Sequence, residues 1–309
     1  MLYSSDIPAQ IPVPVRDLQW AISSPSLLEQ PSLPDLFKHP ETTDLLRQLR
    51  SNPAPLLEYL ADRKTTALGS YFEHLIIFWL SNLPSVSLIA SNIQVFRDKQ
   101  TMGEIDVLFE QSGITFHWEL AVKFYLNIDS GMKASHFVGP RLKDTLDAKL
   151  QRIFNHQIPL LDAPESKKIL TELGIKEVVS SALVKGILFQ PIPSRSTLDN
   201  HFPPKISATC RTGSWVTLGR LDKIENHEFT HFLISKKNQW FTDFYYPQEV
   251  IPGNINSLKK CAAEQINIHP APIMACLFGA KDRGVFSSDT RIFIVPDEWP
   301  ALAAKFHHR

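Results

Sequence analysis

Residues 103–126 read Gly103-Glu-Ile-Asp-Val-Leu-Phe-Glu-Gln-Ser-Gly-Ile-Thr-Phe-His-Trp-Glu-Leu-Ala-Val-Lys-Phe-Tyr-Leu126. From Ile114 every second residue is apolar (Ile114, Phe116, Trp118, Leu120, Val122, Phe124, Leu126), the period of a strand with one face in a core. The other face carries Thr115, His117, Glu119, Ala121, Lys123 and Tyr125. Upstream, Ile105, Val107 and Phe109 alternate with Glu104 and Asp106, and Gln111-Ser-Gly113 supplies turn chemistry, so the two runs are predicted to form a hairpin. A loop of two residues (111–112) or four (110–113) puts Phe109 and Ile114 on one face. That register sets Asp106 opposite His117 and Glu119 opposite Glu104. Asp106 and Glu119 are then diagonal neighbours, about 7–8 Å apart at the backbone, close enough for both carboxylates to reach one ion. An odd-length loop without a bulge would divide them between faces.

The strongest helix signal precedes this hairpin. Ala67 to Leu80 is apolar almost all round, which predicts a buried helix. Glu73 interrupts it, with Ile76, Ile77 and Leu80 as helical neighbours; it is either a functional carboxylate or a member of a structural ion pair. A strand over Val86–Phe96 follows, then the hairpin, then a helix from Arg141 to about Gln157, with Pro140 in its first turn and Pro159 stopping it. Val178–Phe189 reads as a strand buried on both faces. The order over 67–190 is therefore αβββαβ, an α/β core around a mixed central sheet.

Short helices are expected over 16–28, 43–49 and 56–60, so residues 1–66 form an N-terminal helical segment packed on that core. Residues 190–214 read as a long exposed connection or lid. Beyond it, expected strands at Trp215–Leu221, Ile273–Phe278 and Arg291–Val295 and a helix near Leu258–Ile268 make 191–309 a C-terminal α/β extension or cap.

Composition narrows the function classes. The chain has 309 residues, 43% hydrophobic and 21% charged, with 32 Lys+Arg against 32 Asp+Glu. A nucleic-acid footprint must then be local rather than global. Three dispersed cysteines form no zinc or disulfide pattern and fit a reducing cytosol. The N-terminus does not read as a signal peptide, and no run of about 20 apolar residues predicts a membrane span.

Glu73 on the first helix, followed by Asp106 and then Glu119 and Lys123 on adjacent strands, resembles the PD-(D/E)xK nuclease-like superfamily. More closely, the chain resembles the bacterial domain-of-unknown-function 1853 family. The matching segments are Val15-Arg-Asp-Leu-Gln-Trp20, Leu68-Gly-Ser-Tyr-Phe-Glu73, Gly103-Glu-Ile-Asp106, Glu119-Leu-Ala-Val-Lys-Phe-Tyr-Leu126, Phe137-Val-Gly-Pro140 and Ile294-Val-Pro-Asp-Glu-Trp-Pro300. The resemblance implies a restriction-endonuclease-like core.

The residues themselves suit oxygen-ligand divalent metals, Mg²⁺ or Mn²⁺, held by Asp106, Glu119 and Glu73. The chemistry expected is hydrolysis of phosphodiester bonds in DNA, less so RNA, with Lys123 positioning water or offsetting phosphorane charge. The alternative is a nuclease-fold module that binds nucleic acid or a protein without cutting. Lys123 follows Glu119 by four residues where the superfamily has two, so it must reach back over Ala121, or a bulge must bring it closer. His117 is a possible ligand or a neutral hydrogen-bonded histidine, and Glu104 a further ligand or a rim acid. Lys149, Arg152, His156 and Gln157 are either phosphate-backbone contacts or a solvated helix border.

Overall fold

A computed structural model describes residues 10–29, 36–63, 65, 67–129, 131–192, 202–224, 229–236, 239–279, 281–282, 284–287 and 290–307. The hairpin is formed by β2 (Gln100–Gln111) and β3 (Ile114–Asn127), with β1 (Val86–Arg97) antiparallel on the outer side of β2. Ser112 (φ 52°) and Gly113 (φ 76°) make its two-residue turn. Positive φ at both central residues is what a type I′ hairpin requires. The ladder therefore pairs Gln111 with Ile114, Phe109 with Phe116 and Val107 with Trp118. The loop is 112–113 rather than 111–112 or 110–113. Because the shift is even, each side chain keeps its expected face while its partner changes.

β3 is central in the sheet and buried on both faces, not one. One face carries Trp118, Leu120, Val122, Phe124 and Leu126 into the largest core. That core is covered by α1 (Val13–Ser23), α2 (Pro40–Ser51), α3 (Ala54–Ala61) and α4 (Leu68–Ser81). In α4 the apolar run 75–80 is wholly buried. On the opposite face Ala121 and Tyr125 pack with Leu146 and Ile153.

The segment after β3 departs from the expected helix. Phe137–Val138 forms a short strand, β4, against the end of β3. Pro140 lies in a turn containing Leu142 at φ 52°. Helix α5 starts only at Leu146 and ends at Arg152, its N-cap Thr145 accepting from the Ala148 amide at 3.1 Å. A π turn over Ile153–Gln157 and a 3₁₀ turn over Ile158–Asp162 continue it, followed by α6 (Pro164–Glu172), which the sequence reading lacked. β5 (Val179–Pro191) then runs parallel to β3, with Lys123 paired to Gly186. A Cβ at Gly186 would lie 1.8 Å from the Lys123 carbonyl oxygen, so glycine alone fits that approach.

The sheet continues past 190. β6 (Arg211–Thr217) joins β5 in parallel, and β12 (Thr290–Val295) joins β6 in parallel. β10 (Ile273–Phe278), β7 (His231–Ser235) and β9 (Ile251–Pro252) complete it in antiparallel steps. The whole is a large mixed sheet in the order β1-β2-β3-β5-β6-β12-β10-β7-β9. A separate ribbon pairs β8 (Phe244–Tyr245) with β11 (Phe286–Ser287). α7 (Ile255–Ile268) packs on the far half of the sheet, and α8 (Trp299–His307) adds Trp299 and Ala303 to the first core.

Within the expected lid, residues 193–201 lie outside the described ones. The rest is exposed only in part: Pro204, Lys205, Ala208 and Thr209 face solvent, but Ile206 and Cys210 are buried, Ile206 bridges to Leu28, and a strand begins at Arg211. Of the strand expected over Trp215–Leu221, residues 215–217 are strand, and 218–221 belong to a 3₁₀ turn over Leu218–Lys223. No described helix is long and apolar enough to cross a membrane.

Candidate active site

The ladder between β2 and β3 is continuous from the turn to Val107↔Trp118; one step further the same register faces Asp106 to Glu119 directly. Here the Asp106 carboxylate replaces a backbone partner, accepting the Leu120 amide at 2.7 Å. Glu119 is 1% exposed. The two carboxyl groups are close enough for each to shift the other. Burial, then the charge of Asp106, pushes Glu119 up to about 9. Asp106 is also raised, chiefly by burial, with the Leu120 amide opposing. Glu119 Oε2 is buried and receives no donor.

The remaining contacts of Glu119 come from the irregular segment after α5. Gln157, at the end of the π turn, donates to Glu119 Oε1. Lys149 Nζ lies 3.8 Å from the same oxygen and donates to Gln157 Oε1 at 2.9 Å. Lys149, Gln157 and Glu119 thus form a closed triangle. A π turn adds a residue to the helical repeat and re-aims the side chains after it, which is how Lys149 and Gln157, eight positions apart, reach one carboxylate. Burial lowers the Lys149 pKa while Glu119 and Asp106 hold it up; Lys123 and Arg152 press on it with like charge.

Glu73 approaches from α4. It is half-buried and pushed up to about 7, by burial first and then by the charges of Asp106 and Glu104. Glu104 remains a neighbouring acid whose charge both Glu73 and Asp106 feel. Glu73 is therefore near enough to Asp106 and Glu119 for their charges to act on one another.

Lys123 is placed elsewhere. Its ammonium pairs with Asp144 Oδ2 at 2.7 Å, and the Tyr125 hydroxyl donates to the same oxygen at 3.1 Å. The expected reach back over Ala121 does not occur, because Asp144, which lies before the helix rather than inside the one expected from Arg141, takes the ammonium. His117 is fully buried, neither ring nitrogen has a partner, and burial holds it down at about 4, so it is neutral. It is the neutral histidine of one expected reading, but without the hydrogen bond that reading gave it. Arg152 and His156 are exposed beside the site. Asp144 and the π turn left no signal in the sequence; Lys149 and Gln157 were visible only as polar border positions.

The family comparison assigns the chain. The family described as Domain of unknown function (DUF1853) matches residues 16–295. The chain belongs to the domain-of-unknown-function 1853 family. No curated protein and no solved structure matches it. The family match runs from Arg16 in α1 to Val295 at the end of β12, so every residue of the candidate site lies inside it.

Whether these residues suit a metal can be judged from the donors. Asp106, Glu119 and Glu73 offer the hard oxygens that Mg²⁺ or Mn²⁺ take, and Glu119 Oε2 is a buried acceptor awaiting a partner. Among the described residues no three such side chains are close enough to hold an ion by themselves. Asp106 and Glu119 offer the oxygen donors that an ion such as Mg²⁺, which keeps much of its shell for water, would take.

Proposed function

We propose that the protein is a metal-dependent phosphodiesterase acting on nucleic acid, with DNA the first substrate to test and RNA the second, built on a restriction-endonuclease-like core of the PD-(D/E)xK type. The observation that carries this reading is the buried Asp106–Glu119 pair on adjacent strands, with Lys149 held 3.8 Å from Glu119. Glu73, Asp106 and Glu119 act on one another by charge, and Lys149, whose own charge acts on all three, also feels those of Lys123 and Arg152. A cation site beside a basic strip is the arrangement a phosphodiester needs.

Mg²⁺ or Mn²⁺, when bound, would polarise the phosphoryl oxygens and make a water more acidic. The chain's own residues do the rest. Asp106 and Glu119, once ionised, would present the oxygen ligands. Gln157 fixes the direction of Glu119 Oε1. Lys149 offsets charge building on the phosphoryl oxygens. Water oxygen bonds to phosphorus, the bond from phosphorus to the leaving sugar oxygen breaks, and that oxygen leaves with the electron pair and takes a proton from solvent water. Glu73, titrating near neutrality, is the carboxyl suited to accept the proton from the water.

The test is incubation of the pure protein with single- and double-stranded DNA and RNA in Mg²⁺ or Mn²⁺, against chelator and against Asp106→Asn. Metal-dependent cleavage that Asp106→Asn abolishes is expected. Cleavage equal in the variant overturns the site. Binding without cleavage under every condition favours the second reading, a non-cutting module, which the pairing of Lys123 with Asp144 supports.

A further inference from the structure

A pocket of about 760 Å³ opens beside the turn that carries Gln157, within the range of about 300–1,000 Å³ typical of small-ligand sites. Leu161, Leu170 and Ile175 give it an apolar floor. Lys167 and Lys176 stand at its rim with Asp162 as the one acid, and Ser180 lies on its inner wall. Both lysines are exposed, and neither ammonium has an ion-pair partner among the described residues.

Its position relative to the carboxylate pair follows from the strand register. Ser180 pairs with His117, and Glu119 with Ala182. Parallel register partners leave the same face of the sheet, so Ser180, His117 and Glu119 share one. The pocket's inner wall is thus one pleat repeat, about 6.6 Å, from Glu119 along the strands, the scale of one nucleotide step in an extended strand. Ile158, which lines the pocket, directly follows Gln157, which touches Glu119. His117 lies next to that wall with both ring nitrogens unpartnered and the ring fully buried, a polar group waiting for a partner in a region otherwise closed by leucines.

We propose that this pocket receives an unpaired nucleotide of the substrate strand adjoining the scissile phosphate. The base lies against Leu161, Leu170 and Ile175, its phosphate meets Lys167 and Lys176, and Ser180, with His117 behind it, supplies hydrogen bonds to the base edge. A base enclosed in this way is neither stacked nor paired, so the substrate is single-stranded nucleic acid or a duplex with a nucleotide turned out. This rests on the phosphodiesterase reading above and specifies its substrate.

The experiment measures fluorescence anisotropy of a labelled ten-nucleotide single-stranded DNA and of the matching blunt duplex, with wild-type protein in chelator at 150 mM salt (chosen, on the order of physiological ionic strength, to suppress non-specific phosphate binding). Single-strand binding at least about tenfold tighter than duplex binding is expected, where tenfold corresponds to one decade of Kd. Ile175→Trp, which fills the pocket, and the pair Lys167→Glu with Lys176→Glu should each remove most of that preference, with melting temperature and circular dichroism unchanged. Equal affinity for the two forms, or variants that bind as wild type does, overturns the proposal. If Ile175→Trp fails to fold, the lysine pair and Ser180→Ala decide on the same readout. The two readings fail separately. Loss of strand preference in the pocket variants, with no cleavage by wild type in Mg²⁺ or Mn²⁺, sinks the phosphodiesterase and keeps the pocket. Metal-dependent cleavage that the pocket variants leave intact on both substrates does the reverse.

Discussion

At the residue scale the site turns on which lysine serves the carboxylates. Lys149 is largely buried and 3.8 Å from Glu119, whereas Lys123, about one-third exposed, is committed to Asp144. Lys149→Met should lower cleavage by about 10²–10³-fold, the usual cost of deleting a charge-stabilising group. Lys123→Met should leave turnover within about threefold, because an exposed pair contributes about 0–1 kcal/mol and acts away from the reacting atoms. Steady-state rates on one oligonucleotide compare the two; a larger loss in Lys123→Met would return the role to the strand lysine. Glu73 gives a second test. Half-buried among like charges and without an ion-pair partner among the described residues, it is an acid the fold holds at a cost. Glu73→Gln should hold or raise stability, by up to about 1 kcal/mol, while cleavage falls. A thermal melt that drops by many degrees instead would make Glu73 a structural group.

At the element scale the π turn over Ile153–Gln157 is the device that assembles the site. A π turn carries one residue more than the α-helical repeat it interrupts. Deleting the exposed Asn155 should restore α geometry and swing Gln157 away from Glu119, by roughly one residue's rotation of 100°. Helical content should survive by far-ultraviolet circular dichroism while cleavage is lost; retained cleavage would show that Glu119 needs no such orientation. The hairpin illustrates how little of an element's position lies in its pattern. Alternation gave the faces of β2 and β3, and the Ser112-Gly113 turn then moved every partner by two residues. Asp106 and Glu119, expected as diagonal neighbours, then lie just past the last pair, Val107 with Trp118, in a register that sets them opposite.

At the scale of the whole molecule, the N-terminal helix is tied to the far end of the chain by a buried polar network. Asp17 accepts from Thr242 at 2.6 Å and from Tyr71 at 2.9 Å. Arg16 pairs with Glu249 at 2.6 Å, and Trp20 stacks on Phe241 with ring centroids 4.7 Å apart. Arg291 binds Asp243 at 2.8 Å within the same region. Burial raises Asp17 from 3.8 to about 7, with its two hydrogen bonds and the charges of Arg16 and Arg291 opposing. A carboxyl raised in the folded state binds its proton more tightly there than when unfolded. Its contribution to stability is therefore fully present below about 4, erodes as pH rises, and is gone above about 7. The melting temperature of wild type relative to Asp17→Asn should fall between pH 5 and 7 and level off beyond. A constant difference across that range would place Asp17 outside this linkage.

The same scale separates what the sequence determined from what needed the tertiary structure. Period-two alternation marked the strands of the hairpin, and the apolar run 67–80 marked the buried helix, because side-chain burial imposes those periods directly on the chain. The candidate acids drew notice through the same periods: Glu73 interrupts an apolar helix, and Asp106 and Glu119 fall on the polar side of an alternating hairpin. The partners of those acids were not. Lys149 and Gln157 sit on a segment whose π geometry leaves no periodic trace, and Lys123 was drawn to Asp144 by a turn at 139–145 that no local preference announces. The contact of Trp299 with the Pro140 carbonyl, 2.9 Å across 159 residues, is of the same kind. Local sequence sets which face a side chain leaves by; which group it meets there depends on how distant segments pack, and only the folded chain decides that.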